Sequence, residues 1–339
     1  MDSLARRRTV DPGRYVARLI RSSLNDANTL LDQILDAAAQ RAPGAGITVF
    51  DTWVHEHQYG PFYSGVFKES IGESERLLRA AADMAESIAI LLEAGGRSVV
   101  SPYVLSRSLG EGVMRLCYLL DPDVPPSRTM LRMAVFQLAT IEGNLETARA
   151  FGPDGADKEP EMLANIATLH GWFADNGLER TPGRRTPYTA SLSLDGETEN
   201  VRFNATAAYQ RYMPFSAWFY NIGSGATHSR GWMLPSLVGT LEEGPLATTI
   251  ENVVAVGNAV LDAADALAHV GARHAATDVD WFLRKTHLRR RGLVRLAGKG
   301  SDVMVGHDEY AARAPGWTRT EGSPGISFWR SPATSPNDQ

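Results

Sequence analysis

Residues 101–121, SPYVLSRSLGEGVMRLCYLLD, read as a helix that is apolar on most of its circumference and yet carries Arg107, Glu111 and Arg115 at intervals of four. Ser101 stands at the cap position with Pro102 in the first turn, where a missing N–H is harmless. The pair Asp121 and Pro122 marks the stop. At 100° per residue, Leu105, Leu109, Leu116 and Leu120 share one face, and Arg107, Glu111, Arg115 and Tyr118 lie nearly opposite. Val104, Met114 and Cys117 fill the flanks, so the helix is built to be packed on more than one side, as in a multilayered helical body. Two readings of the charges follow. In one, Glu111 bridges Arg107 and Arg115 in a solvated stripe, at roughly 0.3–0.5 kcal/mol per pair. In the other, Glu111 and Arg115 are half buried and line a polar centre or an interface, where charges persist only when paired.

The rest of the chain agrees with an all-α fold. Asp11 and Pro12 open a long amphipathic helix with Tyr15, Leu19, Ile20, Leu24, Leu30, Leu31, Ile34 and Leu35 at helical spacing. Further helices are expected over 73–93, 128–151, 160–175 and 245–274, with another led by Pro214. Residues 43–65, rich in β-branched and aromatic types and holding a Gly-Pro pair, are expected to form an inserted extended loop. That loop carries His55 and His57, which an extended backbone points the same way, but no third ligand stands at metal-site spacing. No metal site and no cofactor are expected. Around 187–203 a β-hairpin insertion is expected, turning at Asp195 and Gly196.

The domain expectation is a single helical domain over 1–275, followed over 276–339 by a basic segment and a disordered tail. The basic segment holds Arg284, Lys285, Arg289, Arg290, Arg291 and Arg295. The tail, from Ala314 onward, is rich in Pro, Gly and Ser.

A chain of 339 residues with 43% hydrophobic content has enough apolar material for a sizeable core. Its net charge of −5 argues against a protein that binds nucleic acid or membrane with its whole surface, while leaving room for a local basic patch. Cys117 is the only cysteine, which excludes an intrachain disulfide and fits a reducing cytoplasm. The N-terminal MDSLARRRTVDPGRY has basic residues but no apolar run behind them, so neither export by a signal peptide nor a membrane partner is expected.

A second group of polar residues lies late in the chain. Tyr220, Ser224 and His228 are four apart and share a helix face if the helix runs on through Gly223 and Gly225. Each glycine weakens a helix by about 1 kcal/mol relative to alanine, and close approach of another helix or a ligand is the usual reason for keeping one. A histidine with a hydroxyl one turn earlier has the chemistry of a general acid–base group or a phosphate contact, or of a core histidine bonded to that hydroxyl.

Taken together, Arg-x-x-x-Glu-x-x-x-Arg-x-x-Tyr-Leu-Leu-Asp-Pro from Arg107 to Pro122, an Arg-rich helix from Arg128 and Tyr-x-x-x-Ser-x-x-x-His resemble uncharacterised HEPN-like all-helical bacterial proteins. The resemblance spans roughly 70–275. It implies a helical bundle, commonly homodimeric, in a superfamily where many members are metal-independent ribonucleases of toxin or phage-defence systems. Their motif is an arginine four to six residues before a histidine, and here the nearest arginine before His228 is Arg211.

Three functions are therefore carried forward. The favoured one is a HEPN-like protein binding RNA or a phosphorylated small molecule, with metal-independent strand cleavage as its catalytic form, in which Arg115 and the 284–295 basic run meet phosphates, Arg107 and Ser224 are further ligand contacts and His228 is the acid–base group. The second is a small-molecule enzyme, a lyase, cyclase or hydrolase, using Glu111, Tyr220 and His228 in a pocket between helices. The third is a non-catalytic oligomer in which the polar stripe specifies helix pairing.

Overall fold

The computed structural model describes residues 11–94, 100–228, 250–298, 318–321 and 327–330. Long helices dominate, as the periodicity predicts. Helix α1 (Pro12–Gln40) is capped by Asp11, whose carboxylate accepts the Arg14 N–H at 3.2 Å, and ends at Arg41 in the left-handed conformation. Its buried face repeats at helical spacing through Val16, Ala17, Ile20 and Ser23. That face packs on α3 (Gly60–Glu93) and on α9 (Ile250–Ala275).

Helix α4 (Val100–Leu119) lies against α3 and α9, and Leu109, Val113, Met114 and Cys117 are sealed in the same core. Each fully buried aliphatic side chain contributes about 1.5–3 kcal/mol. Burial also pushes the Cys117 thiol up, so it behaves as a small apolar group.

Helix α9 is long and apolar enough, by length and composition, to cross a membrane, but 72% of its apolar window is buried inside this body. A second core joins α2 (Gly46–Glu56), α3, α5 (Pro126–Ala150) and α6 (Glu159–Asp175), centred on Tyr63, Met130, Leu131 and Phe173.

Residues 43–65 are not an extended loop. Ile47, Phe50 and Val54 recur at helical spacing and are buried, so tertiary packing overrides the β-leaning composition and makes α2. The Gly-Pro pair is the first turn of α3, where proline is tolerated. His55 and His57 are accordingly not ligands side by side on a strand. His57 is enclosed by Trp53, Tyr59 and Tyr63, with ring centroids 4.9, 5.8 and 4.8 Å away, and its Nε2 lies 3.5 Å from Asp195. Among the described residues no cluster of His, Cys, Asp or Glu is arranged to hold a metal.

The hairpin is present, with β2 (Thr189–Leu194) and β3 (Glu197–Asn200) antiparallel around Asp195 and Gly196, both at positive φ. A third strand, β1 (Glu179–Pro182), pairs with the other edge of β2, which turns an otherwise marginal hairpin into a small sheet. Leu192 and Leu194 bury against the α5 side of the second core.

The basic segment is also ordered. It forms α10 (Asp280–Leu296), which buries Phe282, Leu283 and Leu293 against α1 and α9. Within the stretch expected to lack structure, β4 (Thr318–Glu321) and β5 (Ser327–Arg330) pair antiparallel, in keeping with their β-branched and aromatic residues. The rest of that stretch lies outside the described residues.

Candidate functional site

Two short helices close over the charged face of α4. Helix α7 (Ala205–Tyr212) is capped by Asn204, and a 3-10 turn at Pro214–Ser216 leads into α8 (Ala217–Thr227), which runs unbroken through Gly223 and Gly225. At two glycines, Gly223 on α8 and Gly110 on α4, the reason is steric. A Cβ on Gly223 would stand 2.8 Å from the Arg107 Cβ, and one on Gly110 would collide with the Tyr209 phenol. Phe219 stacks on Tyr103 at 5.1 Å, and Gly223, four residues on, meets Arg107, four residues on from Tyr103. The helices α4 and α8 therefore run in the same direction along this contact.

At the centre, Arg107 pairs with Glu111 at 2.8 Å and stands 5.4 Å from the Tyr220 ring, which in turn packs 4.8 Å from Tyr209. Both charged groups are half buried. Burial, then the Glu111 charge, pushes the Tyr209 phenol up, so it stays neutral beneath the pair.

The bridge from Glu111 to Arg115 does not form. Arg115 turns instead to Phe203, with its guanidinium carbon 4.8 Å from the ring centroid, and among the described residues it has no carboxylate partner. Ser224 is half buried one turn beyond Tyr220, and His228 is exposed as the C-cap of α8, its backbone N–H bonded to the Ser224 carbonyl at 3.0 Å. Among the described residues no hydrogen bond, ion pair or ring contact joins His228 to Glu111 or Arg115. No protein-family model, curated protein or solved structure matches this chain. The chemistry of the site has to be read from its own residues.

Beside this site is a polar cluster that sequence reasoning missed. Asp121, only 2% exposed, accepts from the Tyr212 hydroxyl at 2.7 Å and from Arg211 at 2.7 and 2.9 Å, with Arg132 at 3.5 Å. Glu199 on β3 accepts from the Tyr118 hydroxyl at 2.7 Å and from Arg128 at 2.6 Å, with Arg132 at 3.4 Å. Arg132 also donates to the Tyr118 carbonyl at 2.9 Å and lies 4.1 Å over the Tyr118 ring. Burial and the neighbouring carboxylates push the Tyr118 and Tyr212 phenols up, so both remain donors.

Arg132 and Glu142 of α5 are both buried. The Glu142 carboxylate accepts the Thr189 N–H at 2.9 Å, while burial pushes its pKa up. The available signal was Arg132 standing inside an apolar run, between Leu131 and Met133, where a charge needs internal partners. His170 faces Thr189 Oγ1 at 3.2 Å, and burial followed by the Arg180 charge pushes its pKa down.

The basic run divides in two. Lys285 and Arg289 pair with Asp26, and Arg290 pairs with Asp262 and Asp265, so these three charges belong to the helix packing.

Proposed function

We propose that the surface of α4 beside Phe203, reached past the end of α8, binds a phosphate-bearing ligand, a nucleotide either free or at the end of an RNA strand, in a HEPN-like helical protein. The observation that carries this reading is Arg115. It is a half-buried guanidinium, held over a ring and without a carboxylate among the described residues, because Arg107 has engaged Glu111. A fork of donors fixed on an aromatic face suits a phosphate's paired acceptors and a base's flat surface. The common direction of α4 and α8 supports it further. One more turn along each helix leads from Arg107 to Glu111 and from Gly223 to Thr227, with His228 next. Tyr220, Ser224 and His228 would then follow α8 as two hydroxyls and an imidazole, all able to bond phosphate oxygens.

Binding, not strand cleavage, is the reading adopted. The His228 ring has no partner among the described residues to orient it as an acid–base group, and Arg211, the nearest preceding arginine, is held by Asp121. The test is fluorescence titration of the full chain with labelled ATP and a labelled oligouridylate, using wild type and Arg115→Ala. A charged hydrogen bond is worth about 1.5–3 kcal/mol, so affinity falls tenfold or more in the variant. Unchanged affinity for labelled ATP excludes the site. Unchanged affinity together with dissociation of a dimer on gel filtration moves the role of Arg115 to assembly.

A further inference from the structure

Helix α10 has a second side. Beyond its paired charges, Arg284, Leu288, Arg291 and Arg295 succeed one another by four, three and four residues, so at 100° per residue they form one outward stripe. Trp281 falls on the flank of that stripe, the whole set spanning about 80° of arc and about 21 Å of helix. Arg284 and Arg295 are exposed, Arg291 is half buried, and Leu288 is 50% exposed. None of the three arginines has a carboxylate partner among the described residues, in contrast to Lys285, Arg289 and Arg290 on the inward side and flank. Trp281 is half exposed and fixed in place. Its indole N–H donates to Gln33 at 3.1 Å, its ring packs edge-on against Phe282 at 5.9 Å, and the Lys285 ammonium lies 5.0 Å from its centroid.

On a protein of net charge −5, such a row is a local cationic feature that the bulk composition hides. We infer that this face docks a single-stranded nucleic acid, the arginines meeting successive phosphates while Trp281 and Leu288 offer a surface for a base. The interleaving of aromatic and cation selects this occupant, because a strand with exposed bases uses both, whereas a lipid surface needs an apolar face. The apolar face of α10 is spent inward on Phe282, Leu283 and Leu293, and Leu288 is its one large hydrophobic residue that is exposed, with Trp281, Val294 and Leu296 half buried. The proposal stands independently of Arg115, since it rests on a different helix and on a ligand longer than one nucleotide.

The experiment is fluorescence anisotropy of the full chain with a labelled oligothymidylate and a labelled oligouridylate across a salt series. It compares wild type, Arg284→Gln/Arg291→Gln/Arg295→Gln, Trp281→Leu and Arg115→Ala. Three lost phosphate contacts reduce the slope of log K against log salt by about 2, and loss of the stacking ring weakens binding about tenfold. Arg115→Ala keeps most of the wild-type slope, so failure at one site is distinguishable from failure at the other. Absence of salt-dependent binding in wild type, or an unchanged slope in the triple variant, overturns the proposal. So does binding of phosphatidylserine vesicles without binding of either oligonucleotide. The triple variant changes side chains that have no carboxylate partner among the described residues, and an unaltered thermal midpoint confirms that it folds.

Discussion

Arg132 and Arg115 make the same contact in adjoining places, and it means different things. Each guanidinium lies over an aromatic ring, Tyr118 at 4.1 Å and Phe203 at 4.8 Å, and the two rings touch edge-on at 5.4 Å. Around Arg132 the acceptors are complete, with Asp121, Glu199 and the Tyr118 carbonyl all in reach. Around Arg115 no carboxylate is supplied among the described residues. A cation stacked on a ring is thus a packing device in one case and an available charge in the other. The distinguishing quantity is the number of anions the fold delivers to it.

The largest effect should come from breaking the completed side. Asp121→Asn leaves Arg132 and Arg211 without their shared charge, and losing one partner of a buried pair costs about 3–5 kcal/mol in urea unfolding. Arg115→Ala in the same assay should shift stability by less than about 0.5 kcal/mol. Equal losses would erase the contrast between the two arginines.

Next in size is a pH effect beside the same cluster, where His274 and Pro122 meet Gly46. Burial, and then the Arg41 charge, push the His274 pKa down to about 4. The unfolded chain takes up this proton near pH 6.5 and the folded one only near 4, so stability falls as pH drops through that window. The loss is at most about 3 kcal/mol, and His274→Asn should flatten the profile of urea midpoint against pH.

A third effect sharpens the incomplete side. Gly110→Ala drives a Cβ into the Tyr209 phenol and should cost about 1–3 kcal/mol while weakening nucleotide binding, since Tyr209 underlies Tyr220. Retained stability and affinity would show that the close approach is not needed. The smallest is Phe203→Leu, which removes the ring under Arg115. It should weaken binding by about 0.5–1 kcal/mol and leave urea unfolding nearly unmoved.

The helices were legible because a repeat in one segment is a local property. Residues 101–121 show the alternation of buried and polar faces that α4 displays, and Asp195 with Gly196 announces the turn between β2 and β3. Residues 43–65 were misread because β-branched and aromatic residues favour a strand only weakly, and burial of Ile47, Phe50 and Val54 outweighs that preference. For the site, the Arg107–Glu111 pair and the reason for Gly223 were readable from spacing, unlike the meeting of Arg107 with Tyr220. The redirection of Arg115 to Phe203 was not, because those residues lie far apart in the chain.

What the amino-acid order determined by itself was the all-α class, the β-hairpin turn and the Arg107–Glu111 pair inside a largely apolar helix. The tertiary structure alone decided which charges are used up. Glu199 reaches Arg128 and Arg132 across a sheet insertion, and Asp26, Asp262 and Asp265 cancel half of a basic helix. Periodicity follows from neighbours a few residues apart, whereas neutralisation of a charge depends on whatever the fold brings within about 4 Å of it.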